Sequence, residues 1–166
     1  IEDDYRKTDH NQKQRYFYPL NQETNFKINK FFRTITKEKS HSSKIINVKG
    51  RNFKIENFYE GVARFDFNDL CNQNLGAEDY LEIIQACKFI TLDNIPQFND
   101  INSNQQHRFI TLIDIIYDKN IPLAVTAEQN IDQFTSSRLL ENSFKRTISR
   151  LYELTSEERN NEARVL

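Results

Sequence analysis

Apolar positions along this chain switch between the strand and the helix period, and the sharpest switch lies between Lys88 and Ala127. Phe89-Ile90-Thr91-Leu92 is a short apolar run that reads as a buried strand. It leads straight into a polar turn, Asp93-Asn94-Ile95-Pro96. Phe109, Leu112, Ile113, Ile116 and Tyr117 then recur at i, i+3, i+4, i+7 and i+8, one face of an amphipathic helix, with Arg108, Thr111, Asp114 and Asp118 away from it. Asn120 closes that helix. Ile121 to Ala127 is a second apolar strand whose Pro122 lies near its start, where a missing N–H costs least. Such strand, helix, strand connections are parallel and right-handed. Asp93 and Asn94 therefore stand at the C-terminal end of a parallel strand, the edge at which open α/β sheets bind ligands.

The flanking segments predict an α/β (mixed α+β) fold: a small parallel crossover unit preceded by a short hairpin or meander and flanked by helices. Residues 1–20 read as an extended segment with an aromatic knot at Tyr16-Phe17-Tyr18-Pro19. Asn21 or Asn25 caps a helix with Ile28, Phe31, Phe32 and Ile35 on one face. Three β-like segments follow, Lys44–Lys49, Phe53–Phe58 and Val62–Phe67, separated by the hairpin-type turn Gly50-Arg51-Asn52 and by Glu60-Gly61. In the last, Val62, Arg64 and Asp66 face one way and Ala63, Phe65 and Phe67 the other, a half-buried strand. A helical turn through Cys71 leads to a helix opened by Gly76-Ala77, with Tyr80, Ile83, Ile84 and Cys87 on its buried side. After the crossover, residues 128–142 read as a short helix and a mobile loop, and Ser143 to Thr155 as a helix carrying Phe144, Ile148 and Leu151. Residues 21–156 thus make one α/β domain and 157–166 a charged tail.

Composition sets limits on chemistry. The 23 basic and 24 acidic residues nearly cancel, which argues against a dedicated nucleic-acid protein despite a basic stretch from Lys27 to Lys54. The three histidines, His10, His41 and His107, lie in unrelated contexts, so no metal site is expected. Two cysteines, Cys71 and Cys87, read as reduced and at least partly buried. No apolar run approaches the roughly 20 residues of a membrane-spanning helix. The chain has no Met and opens on Ile1, from which we expect it to be a piece of a longer protein. Only three glycines, Gly50, Gly61 and Gly76, are present and no two are close, so a glycine-rich phosphate cradle cannot form.

The best candidates for chemistry are arginines. Arg146 and Arg150 are four apart on one helical face, and such a guanidinium pair can grip phosphate oxygens or, alternatively, pair with carboxylates such as Asp66, Asp79 or Asp114. Arg108 at the start of its helix opposes the macrodipole and needs an acid, Asp114 or Asp79, or an anionic ligand.

Four ordered blocks carry a resemblance. Val62-Ala63-Arg64-Phe65-Asp66-Phe67 runs into Asp69-Leu70-Cys71; Leu75-Gly76-Ala77 runs into Asp79-Tyr80; Arg108-Phe109-Ile110-Thr111-Leu112-Ile113-Asp114 precedes Tyr117; and Arg146-Thr147 precedes Ser149-Arg150-Leu151. Together they resemble the AFG-one-like ATPases, the AAA+ family that includes a bacterial cell-division ATPase, from about Asp4 to Leu154. The resemblance implies the C-terminal portion of such a protein, with ATP and magnesium held by an N-terminal ATPase half rather than by this chain alone. It further implies coupling to a protein client in cell division or protein quality control and a hexameric homo-oligomer for the parent. It also implies a cytoplasmic bacterial location, compatible with peripheral association at the inner membrane. Arg146, Arg150 or Arg108 would then sense phosphate. Asn94 would stand where a working AAA+ core has its catalytic Glu, which makes it no general base. Two other readings remain: a stand-alone interaction module from a split or decayed gene, and nucleic-acid binding by residues 27–54.

Overall fold

The computed structural model describes residues 14–156. The extended segment expected over residues 1–13 and the charged tail expected from 157 onward lie outside the described residues.

A five-stranded sheet forms the centre. Its strands are β1 (Tyr16–Phe17), β4 (Asn57–Tyr59), β5 (Val62–Asp66), β6 (Phe89–Ile95) and β7 (Leu123–Ala127), in the spatial order β1-β7-β6-β5-β4. All neighbours are parallel except β4 and β5. Two crossovers build the parallel part. Helices α2 (Phe67–Cys71) and α3 (Ala77–Ile84) connect β5 to β6, and α4 (Ser103–Asp118) connects β6 to β7. The helix stripe read from the sequence is the one that the fold buries: Phe109, Leu112, Ile113 and Ile116 are fully enclosed. Asn120 ends α4 in a left-handed conformation with φ 56°, its N–H reaching the Tyr117 carbonyl while the Ile121 N–H reaches Ile116. That pair of bonds is a Schellman ending, and Ile116 and Ile121 are both buried against it.

The opposite face is covered by α1 (Gln22–Ile35), whose cap is Asn21, the side chain accepting from the Thr24 N–H at 2.9 Å. Phe31 of α1 meets the Phe89 ring and Phe32 meets Tyr59. The last helix, α5 (Glu141–Leu154), packs on α4 and buries Phe144 and Leu151. Among the described residues no helix is long and apolar enough to cross a membrane.

A separate antiparallel hairpin, β2 (Lys44–Val48) with β3 (Arg51–Ile55), leans on α3 and on β5 through the Phe53–Phe65 ring contact. Its turn lies one residue earlier than expected. Lys49 and Gly50 both have positive φ, 51° and 79°, and Val48 pairs with Arg51. This is a two-residue type I′ loop, which leaves Arg51 and Asn52 inside the strand. Strand β5 keeps the expected alternation, with Ala63 and Phe65 buried on one face and Arg64 and Asp66 half-buried on the other, where Phe32 of α1 covers Arg64. Two further expectations need correction. Cys87 sits just beyond α3, which stops at Ile84. The segment expected as a mobile loop is tied down: Thr135 N–H donates to Gln97 Oε1, Ser137 N–H to Gln106 Oε1 and Arg138 N–H to Asp100 Oδ1.

Candidate functional site

The C-terminal ends of β5, β6 and β7 gather the polar groups of the sheet. β5 and β6 run parallel in register, Arg64 opposite Thr91 and Asp66 opposite Asp93. Arg64 Nε donates to Asp93 Oδ2 at 2.6 Å, with both side chains only 16 % exposed, and its guanidinium lies over the Phe32 ring. After Leu92 the β6–β7 register slips, and Asn94 takes a left-handed φ of 69°. That irregularity re-aims the end of the strand, as bulges do. The Asn94 N–H then reaches Thr126 Oγ1 at 2.8 Å, and its amide Nδ2 reaches Asp66 Oδ1 at 2.6 Å. Asp66 Oδ2 accepts from the Asn68 N–H and so caps α2. Asp66 is thus held by neutral donors, and its negative charge is left for solvent or a ligand.

Between this edge and the hairpin lies a cleft of about 550 Å³, bordered by β3 from Arg51 to Ile55, by Phe65 and Asp66 of β5, and by Asp69 of α2. Such a volume falls within the roughly 300–1,000 Å³ of ligand pockets. Its base is apolar, with Phe53, Phe65 and Leu75, and its walls carry both signs of charge.

The arginines singled out in the sequence lie elsewhere, on the helical layer. Arg150 Nη1 donates to Asp114 Oδ1 at 2.7 Å and its guanidinium stacks on Tyr117, 4.6 Å from the ring centre. Arg146 approaches the other oxygen of Asp114 at 3.7 Å and is 61 % exposed. Asp114 therefore meets both. Asp66 serves the strand edge, and Asp79 accepts from the Gly76 N–H at the start of α3. Arg108 lies a turn inside α4, half-buried, and donates to the Cys71 carbonyl at 3.3 Å rather than to an acid. Cys71 and Cys87 are buried free thiols. Burial pushes both up, Cys87 to about 12, so neither supplies a thiolate at neutral pH.

Two arrangements had no foretelling signal. The Arg64–Asp93 pair joins residues 29 apart, visible only once β5 and β6 are known to be neighbours in register. Arg15 is 3 % exposed and donates to the Leu123 and Leu154 carbonyls, fastening β1 and the end of α5 to β7.

A family model described as AFG1-like ATPase matches residues 2–162. The cell division protein ZapE of Escherichia coli K12 is 25% identical over 155 residues, 93% of this chain and 41% of that protein. Lactation elevated protein 1 homolog B of Danio rerio is 33% identical over 90 residues, 54% of this chain and 18% of that protein. The chain thus spans less than half the length of either relative. No solved structure matches it significantly.

Proposed function

This chain belongs to the AFG1-like ATPase family, and on that premise we propose that it is the C-terminal part of a longer ATPase, coupling ATP binding and hydrolysis in an N-terminal core to a protein client. The observation that carries this reading is a match over residues 2–162 in a chain with no G-x-x-x-x-G-K-[ST] segment. The family implies ATP and magnesium in the intact protein, and the residues present here do not fit them. Gly50 and Gly61 are spent on the two β-turns and Gly76 on the start of α3, so among the described residues no glycine-built run of backbone N–H groups forms a phosphate nest. The strand edge carries Asp66, with Asp69 beside it, neither of them paired with a cation among the described residues, and these would repel a triphosphate.

Arg146 and Arg150 are the groups through which α5 would read the state of the core. Arg146 is exposed, and its 3.7 Å approach to Asp114 is too long for a hydrogen bond. It can thus turn to a phosphate at little cost, while Arg150 holds the helix on α4. The relative named for cell division points to a client in that process, with protein quality control as the other candidate. The location proposed is the bacterial cytoplasm, compatible with peripheral association at the inner membrane.

An antibody raised against this chain tests the reading. A cellular band well above 19.8 kDa is expected, with ATP turnover in that longer protein abolished by Arg146→Ala or Arg150→Ala. A band at the chain's own mass would instead favour a stand-alone interaction module, and unchanged turnover in both variants would remove the phosphate contact.

A further inference from the structure

Two unpaired strand edges face each other across the 550 Å³ cleft. β4 and β5 are paired from Tyr59–Val62 to Asn57–Arg64 and no further, so among the described residues Phe65 and Asp66 have no strand beside them on that side. Upstream of Asn57 the chain bends away as β3, which among the described residues has only β2 as a partner. In a two-residue hairpin the pair flanking the loop, Val48 and Arg51, exchanges both backbone bonds, and the pattern then alternates. Ile46–Phe53 and Lys44–Ile55 bond inward, so the backbone groups of Asn52 and Lys54 point outward, into the cleft. The outer edge of β2 borders a second, shallower opening against α3, where Ile45 and Asn47 lie beside Glu82 and Gln85 without the paired carboxylates of the cleft.

The charges around the cleft favour one kind of occupant. Arg64 and Asp93 satisfy each other, Lys54 lies 3.5 Å from Glu56, and Arg51 stands at the turn end of β3, so four carboxylates and three cations border the cleft. Asp66 and Asp69 have no cationic partner among the described residues, and both border the cleft near Phe65. We propose that this cleft binds an extended segment of a partner protein, which adds as a strand along Asn52–Lys54 and places a basic side chain against Asp66 and Asp69. Main-chain bonds supply affinity in such strand addition, and pockets for alternate side chains supply selectivity. Phe53, Phe65 and Leu75 form the apolar base that receives the side chain between the basic ones. The segment's source is the client, so the inference rests on the client-coupling reading and adds the place and chemistry of contact.

Fluorescence anisotropy on the 166-residue chain, without nucleotide, tests it with a labelled probe, Gly-Val-Lys-Val-Lys-Val-Gly. Saturable binding is expected. It should weaken by about tenfold or more when both Lys are replaced by Glu and when the central Val is replaced by Pro, each change removing an interaction worth about that factor. Asp69→Lys should weaken the original probe similarly, and Asp69 is exposed, so the variant keeps its fold. Equal binding of all three probes, or no binding at all, would overturn the proposal. So would displacement of the probe by a single-stranded oligonucleotide, which would assign the cleft to nucleic acid. Since no ATP is present, failure here leaves the turnover test of the parent protein standing on its own.

Discussion

Two arginine–carboxylate arrangements hold this domain, and they are built for different purposes. Arg64 and Asp93 stand on adjacent parallel strands, 2.6 Å apart, each 16 % exposed, with Phe32 lying against the guanidinium. Arg146 and Arg150 share Asp114 across two helices, at 3.7 and 2.7 Å, with Arg146 61 % exposed. The strand pair is fixed by backbone register and shielded by α1. The helical trio is fixed by flexible side chains at a wet surface. A charge that must hold a site in place belongs in the first setting, and a charge that must change partners belongs in the second.

Removing Arg64 should have the largest effect. Arg64→Ala leaves Asp93 in a mostly enclosed position with only Thr126 Oγ1, at 3.4 Å, as a polar contact. Breaking an enclosed pair costs about 3–5 kcal/mol, and partial exposure here reduces that to about 2–3 kcal/mol. Urea denaturation measures it, and a loss under about 1 kcal/mol would erase the contrast with the helical trio. Asp114→Ala comes next. It removes a charge-assisted bond at a 29 % exposed position while Arg150 keeps Tyr117, so about 1 kcal/mol is expected. A double-mutant cycle between Asp114 and Arg150 separates the pair from its surroundings.

The same contrast marks what the sequence could and could not disclose. The crossover unit was legible because each of its cues is local: the stripe from Phe109 to Ile116 has the helix period, Asn120 supplies the left-handed ending, and apolar runs flank both. The alternation of Arg64 and Phe65 was also legible, but the cover over Arg64 was not, since α1 reaches it from more than thirty residues upstream. The hairpin turn was misplaced by one residue because Gly50 fits either side of a turn, and only the Val48–Arg51 pairing selects Lys49-Gly50. β1 reads in the sequence only as part of an extended segment outside the domain: two residues, Tyr16 and Phe17, carry no period, and their place beside β7 comes from long-range pairing. Residues 128–142 read as a short helix and a mobile loop because they are polar, yet the backbone N–H groups of Thr135, Ser137 and Arg138 tie the segment to Gln97, Gln106 and Asp100. The arginines on α5 were visible as a pair, whereas their shared carboxylate on α4 was only one of three choices.

Arg146→Ala should have the smallest effect on stability and is for that reason the most informative. Its guanidinium stands 3.7 Å from Asp114, beyond hydrogen-bond range, and is mostly in water. Exposed pairs of that kind contribute at most about 0.5 kcal/mol, and Arg150 remains to neutralise Asp114. Urea midpoints for Arg146→Ala and the parent chain should therefore nearly coincide, while Arg150→Ala, which also gives up the Tyr117 stacking, shifts visibly lower. If Arg146 is a phosphate-sensing group, its loss must appear in ATP turnover of the longer protein without appearing in the stability of this domain. A large fall in stability on Arg146→Ala would make it a structural residue like Arg64, and any loss of turnover would then be a consequence of a loosened α5 rather than of a missing phosphate contact.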